Sequence, residues 1–157
     1  MDVHSKKQRT RNMRAIRSQN TIPEKIISEI LFSLGVNYTA QNKSICGKPD
    51  FLCSDYKSVI FVHGCFWHRH LCHMFKWPKT RPVFWIDKLT QNARRDSYVV
   101  NKLTQAGFKV MIIWECSLRG SMSVPTSIIK DCIEEWLCAS VHNCEISSLG
   151  MRTLPKI

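Results

Sequence analysis

The sequence has little that would place it in a membrane or outside the cell. Its longest uninterrupted apolar run is five residues, Val110 to Trp114, far short of the ~18 that a membrane span needs. No apolar stretch follows the polar, basic beginning, so no secretory signal is predicted. We therefore expect a cytoplasmic protein without a membrane partner, whose eight cysteines are free or metal-bound rather than paired in disulfides.

Acidic residues are also scarce, with 12 Asp and Glu against 23 Lys and Arg, giving a net charge of +11. Between Lys57 and Arg95 eight basic residues face only Asp87, which favours a nucleic-acid partner over a merely solubilising surface or an anionic membrane. The first twenty residues carry one acid, Asp2, and are too polar for a core helix. They predict a basic DNA-binding arm, residues 1–20, with Lys6, Lys7, Arg9, Arg11, Arg14 and Arg17 as its contacts.

Repeats, low-complexity tracts and long linkers are missing as well, so residues 21–157 are expected to form a single domain. After a helical segment at 5–18, a capping box at Thr21–Glu24 predicts a helix that ends at Gly35. Strands are predicted at 36–41, 49–54, 58–64 and, centrally, 108–115, the second and third forming a hairpin. Helices are expected at 83–106 and 125–138, whereas the tail after 138 shows no clear pattern. This order predicts an α/β sandwich with a mixed sheet.

What the chain does have is a concentration of ligand side chains in "HGCFWHRHLCHMF", residues 63–75, which holds four of its six histidines. Thiolate and imidazole together are typical ligands of tetrahedral zinc, and a structural site needs four of them. The loop offers three, and a fourth follows the apolar strand 108–115, whose end should lie beside that of strand 58–64. The predicted zinc ligands are Cys65, His70, Cys72 and Cys116. Ordinary buried thiols and surface histidines are the alternative, and the remaining cysteines are expected to be small apolar residues.

Zinc with four protein ligands has no open position for chemistry, so His63 and His68 are left for another task. "GKPDF" places Asp50 at the start of a strand whose hairpin partner ends at Val62-His63. A proline-aspartate pair before a second strand resembles the PD-(D/E)xK nucleases, in which such carboxylates hold Mg²⁺ against a phosphate. A solvated turn aspartate would explain the pair equally simply.

Five segments together resemble the very-short-patch repair (Vsr) endonucleases in order and approximate spacing, over about residues 3–138. They are "NMRAIRSQNTIPEK", "GKPDF", "VIFVHGCFWHRHLC", "FWIDKLTQNARRD" and "VMIIWEC". The resemblance implies a three-layer α/β/α sandwich with a mixed sheet, of the restriction-endonuclease-like (PD-(D/E)xK-type) fold. It also implies an enzyme that nicks one DNA strand 5′ of the thymine in T:G mismatches, which arise when 5-methylcytosine deaminates.

The same resemblance implies roles for single residues. Asp50 would bind Mg²⁺ together with the main-chain carbonyl of Val62, and Glu24 would contact metal-bound water. His68 would be the general base, oriented by Asp96, with His63 as a second imidazole near the phosphate. The second carboxylate and the lysine of (D/E)xK are missing here, because Val62-His63-Gly64 stands in their place.

Phe66, Trp67 and Trp85 would wedge into the duplex beside the mismatch, unless Trp67 and Trp85 are packing residues. The resemblance further implies Mg²⁺ and one Zn²⁺ per chain, duplex DNA and mismatch-repair proteins such as MutL as partners, a monomer, and a location at the bacterial nucleoid. Two alternatives are a non-catalytic, zinc-containing DNA-binding module and an RNA-binding protein. Neither needs Asp50, His68 and Asp96 in one site.

Overall fold

One mixed sheet of six strands organises the computed structural model, which describes residues 5–15 and 19–156. Its strands lie side by side in chain order: β1 (Thr39–Ala40), β2 (Phe51–Cys53), β3 (Ser58–His63), β4 (Lys109–Trp114), β5 (Cys144–Ser147) and β6 (Gly150–Thr153). The two central pairs, β3–β4 and β4–β5, are parallel, and the three outer pairs are antiparallel. Each parallel pair requires a crossover, which a helix supplies in both cases.

The helices are α1 (Lys6–Ala15), α2 (Ile22–Ser33), α3 (Pro82–Gln105), α4 (Glu115–Leu118) and α5 (Thr126–Ala139), with a 3₁₀ turn at Ser54–Tyr56. Thr21 caps α2 as predicted, since its Oγ1 accepts from the Glu24 amide at 3.4 Å, and Glu24 Oε2 reaches back to the amide of Asn20, one residue before the cap, at 2.9 Å. Gly35, at φ +70°, ends α2 as predicted. None of the helices within the described ranges is long and apolar enough to cross a membrane.

Strand β4 is buried on both faces and divides the core into two parts. Val110, Ile112 and Trp114 pack towards α3, whereas Met111 and Ile113 pack towards α2 and α5. Because successive strand residues point to opposite faces, a continuous apolar run is what a sheet covered on both sides requires. The predicted three-layer α/β/α sandwich with a mixed sheet is thus confirmed, with β4 in the interior of the sheet.

The structure corrects the prediction from the sequence at both edges of the sheet. The strand predicted at 36–41 is only two residues long, and the tail that showed no pattern forms the β5–β6 hairpin. The hairpin was not predicted because it contains buried polar residues: Glu145 is only 5% exposed and pairs with Arg152 from the neighbouring strand. The β2–β3 hairpin is present as predicted.

The N-terminal helix is confirmed over Lys6–Ala15. Lys6, Lys7 and Arg11 are exposed, and Arg9 and Arg14 belong to the same helix. Arg17 lies outside the described residues.

Candidate active site and metal centre

The chemistry-bearing residues gather where the parallel strands β3 and β4 end. His63 and Trp114 are paired in register as the last residues of these strands. Residues 64–81, here called the Cys/His loop, follow β3, and α4 with Cys116 follows β4. Side chains far apart in sequence therefore meet because the carboxyl ends of parallel strands share one edge of the sheet.

The structure brings Cys65, His70, Cys72 and Cys116 together, with their ligand atoms within 4.8 Å of one another. His70 Nδ1 lies 3.5 Å from Cys65 Sγ and 3.7 Å from Cys116 Sγ. In a tetrahedral site with zinc bonds of about 2.3 Å to sulfur and about 2.0 Å to nitrogen, sulfur and nitrogen are separated by roughly 3.5 Å. Both the donor set and its spacing fit a four-coordinate zinc ion.

The titration of these thiols also fits a cation among them. Burial raises the pKa of Cys65 and of Cys116, and the charge of Cys72 raises both further, whereas the hydrogen bond between Cys65 and Cys116 lowers the pKa of Cys116. Three ionised thiolates at this separation repel one another unless a positive charge lies between them. The Ser148 amide donates to Cys116 Sγ at 3.4 Å, which partly offsets the burial of that sulfur.

Trp114 supports the imidazole of His70, a candidate zinc ligand, through a contact that was not predicted from the sequence. The His70 ring stacks on Trp114 at 4.2 Å between centroids and 8° between planes. Trp114 Nε1 donates to Glu145 Oε2 at 2.8 Å, and Arg152 pairs with the other oxygen of Glu145. The β5–β6 hairpin, which was not predicted from the sequence, thus supports the candidate metal centre.

A second group of possible ligands, His63, His68 and Asp96, lies next to the first. His68 Nδ1 is 2.6 Å from Asp96 Oδ2, and the His68 ring stacks on His63 at 3.7 Å with an interplanar angle of 2°. Burial, with the charges of His68 and Arg95 as further causes, holds the pKa of His63 well below its usual value. His63 is therefore neutral, and its Nδ1 is buried without a hydrogen-bond partner among the described residues.

Asp50 is fixed from two sides at the start of β2. Its Oδ2 accepts from the Val62 amide at 2.7 Å, and its Oδ1 accepts from Gln41 Nε2 at 3.3 Å. The same Gln41 nitrogen donates to Glu24 Oε2 at 3.1 Å, so one amide bridges the two carboxylates. Gln41 is not among the site residues predicted from the sequence.

Burial raises the pKa of Asp50 to about 6, and the Val62 hydrogen bond only partly opposes it, while the Glu24 charge raises it further. The charge of His68 also acts on this carboxyl, which connects the Asp50 group with the His68–Asp96 pair. Two carboxylates that share one bridging amide supply the oxygen ligands that suit a hard divalent cation such as Mg²⁺.

A cleft of about 330 Å³ opens beside the two histidines. It contains two exposed cations, Lys48 and Arg95, from the loop before β2 and from α3. The (D/E)xK lysine is missing from Val62-His63-Gly64, but Lys48 and Arg95 bring positive charge to the cleft from other segments. The lining residues are Gly47, Lys48, Phe61, His63, His68, Arg95, Asp96, Val99 and Val100.

Phe66, Trp67 and Trp85 form one aromatic cluster, half-buried rather than enclosed in the core. Their ring centroids are separated by 5.1 Å for Phe66–Trp67, 5.4 Å for Phe66–Trp85 and 6.0 Å for Trp67–Trp85. Asn92 of α3 donates to the Trp67 carbonyl at 2.9 Å and Arg69 to Thr90 at 3.2 Å, which ties the loop to that helix. The rings are preorganised and partly accessible.

Comparison with known proteins gives a consistent result. The family model described as "DNA mismatch endonuclease Vsr" matches residues 1–74. The DNA mismatch endonuclease Vsr of Escherichia coli K12 is 40% identical over 153 residues, which cover 98% of both chains. The nicking enzyme V.NmeAIP of Neisseria meningitidis is 40% identical over 75% of this chain and 84% of its own. The nicking enzyme V.HpaIIP of Haemophilus parainfluenzae is 30% identical over 85% and 99%, respectively.

Proposed function

The chain belongs to the Vsr family of DNA mismatch endonucleases, and on that premise we propose that it nicks one strand 5′ of the thymine in T:G mismatches. It is a DNA repair endonuclease, hence a hydrolase, with the restriction-endonuclease-like fold of the family. Deaminated 5-methylcytosine would be the source of its substrate, and very short patch repair would follow the nick. The observation that carries this proposal is the His68–Asp96 pair after β3, near the half-buried Asp50 that precedes β2.

We propose Asp50 and the Val62 carbonyl as ligands of Mg²⁺. Glu24, which Gln41 links to Asp50, would bind a water molecule of that ion. A bound Mg²⁺ supplies electrostatic stabilisation to the phosphate oxygens during displacement. The protein's own part is to keep both carboxylates at fixed positions. Gln41 donates to both carboxylates, and the Val62 amide donates to the second oxygen of Asp50.

His68 is proposed as the general base. With its Nδ1 proton donated to Asp96 at 2.6 Å, the other ring nitrogen is free to accept a proton from water. Asp96 thereby fixes the tautomer and the ring plane and stabilises the imidazolium that forms. His63, neutral and stacked on His68, keeps that ring in place and adds a second imidazole near the phosphate.

The zinc site is proposed to be structural, because four protein ligands leave no position for substrate. Cys65 and Cys72 lie in the Cys/His loop and Cys116 in α4, so the ion would join two elements that the sheet brings together. Cys65 directly precedes Phe66 and Trp67. A metal that fixes this loop therefore also fixes the aromatic rings and His68.

Phe66, Trp67 and Trp85 are proposed to wedge into the duplex at the mismatch. Unstacking a mismatched base costs less than unstacking a Watson–Crick pair, so the same wedge binds more favourably at T:G. The half-exposed cluster and the basic residues around it support this role.

The remaining proposals concern partners and surroundings. Residues 1–20 are proposed to form a DNA-binding arm, supported by the exposed Lys6, Lys7 and Arg11. We further propose that the enzyme acts as a monomer on chromosomal DNA in the bacterial cytoplasm, in association with the nucleoid, and cooperates with mismatch-repair proteins such as MutL. The source of the 40% identical relative, a bacterium, supports the location.

The decisive experiment is a strand-specific nicking assay on a duplex with one T:G pair, with and without Mg²⁺, beside the matched duplex. We expect a single nick 5′ of the mismatched thymine that requires Mg²⁺ and is abolished in Asp50→Ala while T:G binding survives. A protein that binds T:G duplex but never cuts it would instead support the non-catalytic DNA-binding module.

A further inference from the structure

Two aromatic residues of the Cys/His loop, Phe75 and Trp77, extend the cluster beyond the three proposed wedge rings. Phe75 stacks on Phe66 with centroids 6.1 Å apart and planes at 24°. Trp77 meets Phe75 edge-on at 5.0 Å and 90°. We propose that Trp77, backed by Phe75, is an additional DNA-contact surface that binds the duplex flanking the mismatch, outside the base step that the wedge opens.

The exposure of Trp77 is the first argument. This ring is 46% exposed even though five other aromatic rings lie within its cluster or next to it. Packing alone would draw so large an apolar surface further inwards, since full burial of an aromatic side chain is strongly favourable. Phe84, at the opposite end of the cluster, is 41% exposed. The cluster therefore presents its outer rings to a partner.

The charge around these rings identifies the partner as a polyanion. Lys76 and Lys79 flank Trp77 in sequence, and the guanidinium of Arg81 lies 4.2 Å from the centre of the Phe84 ring. No Asp or Glu occurs between Asp55 and Asp87. Flat rings among unopposed cations suit nucleic acid, because the cations neutralise phosphates while the rings pack against the sugars of the intact duplex. An apolar protein surface would not require this charge.

The loop is also held so that Trp77 has a defined position. The Phe75 amide donates to the carbonyl of Cys72, a proposed zinc ligand, at 3.0 Å. At its other end the loop enters α3, where the Trp85 amide donates to the Arg81 carbonyl at 3.2 Å. Little conformational entropy is then lost when the ring meets DNA.

The centroid separations limit where the contact falls. Steps of 6.1 Å and 5.0 Å put Trp77 at most about 11 Å from Phe66. With about 3.4 Å per base step, this distance corresponds to roughly three base pairs. Trp77 should therefore contact the duplex within about three base pairs of the wedge, on one side only.

This inference rests on the proposed wedge, and the experiment separates the two. Binding of Trp77→Ala is measured on T:G and matched duplexes, each at full length and trimmed stepwise from either end. We expect about tenfold weaker binding of both full-length duplexes, because the contact would bury the exposed part of the indole against the duplex. The deficit should vanish when the flank on one side is trimmed to within three base pairs. Trp67→Ala, in contrast, should lower the preference for T:G at every length.

Two further variants complete the design. Trp77→Phe, which retains a flat ring, should bind within about threefold of the wild type, and Phe32→Ala removes an 83% exposed ring from α2 as a matched control. Wild-type affinity in Trp77→Ala, or a deficit independent of duplex length, overturns the inference. If Trp77→Ala loses zinc, Trp77→Leu decides instead: a length-dependent deficit with zinc retained supports the contact, and wild-type binding refutes it.

Discussion

Replacing Asp96 by asparagine tests the proposed general base with the least change in shape. The variant keeps the size of the side chain but removes the charge that lies 2.6 Å from His68 Nδ1. Both side chains are only about one-fifth exposed, at 22% for His68 and 19% for Asp96, so water replaces little of the lost interaction. The asparagine amide can also donate to Nδ1, which would favour the wrong tautomer for a base.

The expected size follows from that bond. A hydrogen bond to a charged group contributes ~1.5–3 kcal/mol. Because ~1.4 kcal/mol is a factor of ten in rate, the nicking rate should fall roughly 10- to 150-fold. If the tautomer is reversed as well, the loss should approach the upper end of the ~10²–10⁴-fold range of general-base catalysis.

Single-turnover nicking of a T:G duplex under saturating enzyme measures the chemical step directly. Binding of the same duplex and zinc content should match the wild type, since Asp96 is proposed neither as a zinc ligand nor as a DNA contact. Asp131→Asn, an exposed acid of α5 on the far side of the sheet, is the matched control. An unchanged nicking rate in Asp96→Asn would refute the assignment of His68 as base, as would a parallel loss of binding and zinc.

Three other predictions address the metal centre, the wedge and the arm. Purified protein should contain close to one zinc per chain by elemental analysis, and Cys116→Ser should lose it, because this residue joins α4 to the Cys/His loop; retained zinc would count against the set. Trp67→Ala should bind T:G duplex about tenfold more weakly while matched duplex, held mainly by phosphate contacts, changes little; equal losses with zinc retained would make Trp67 a packing residue. Deleting residues 1–20 should weaken binding and flatten the salt dependence by about 0.9 in log–log slope for each lost phosphate contact; an unchanged slope would exclude the arm as a clamp.

The central layers of the fold were predictable because periodicity reports burial directly. The run at Val110–Trp114 indicated an interior strand, and the stripe on α2 indicated a helix with one buried face, both as found. The β5–β6 hairpin was not predictable, since Glu145 is buried against Trp114, which is distant in sequence, and its charge is paired with Arg152 across the hairpin. Pattern reading assigns a charge to the surface unless its partner is known.

For the same reason, only part of the candidate site could be predicted from the sequence. Ligand chemistry and strand order sufficed to group Cys65, His70, Cys72 and Cys116, because zinc restricts the residue types that can serve it. Gln41 and Trp114 were missed, because an amide that bridges two carboxylates and a ring that supports an imidazole act through geometry. Neither role can be recognised from the residue type alone.

The meeting of β3 and β4 also has a consequence for the order in which the enzyme becomes competent. Glu24, Asp50 and His68 all precede α3. The contacts that support His68 and the Cys/His loop come from the second half of the chain, from Asp96, Trp114 and Cys116. Contacts of such long sequence separation form late, because the entropy of closing the intervening loop must be offset first. During synthesis the first half can therefore carry the proposed base, His68, without holding it in place. On the proposed assignment, full nuclease activity is expected only after β4 has docked and Trp114 and Cys116 have reached the Cys/His loop.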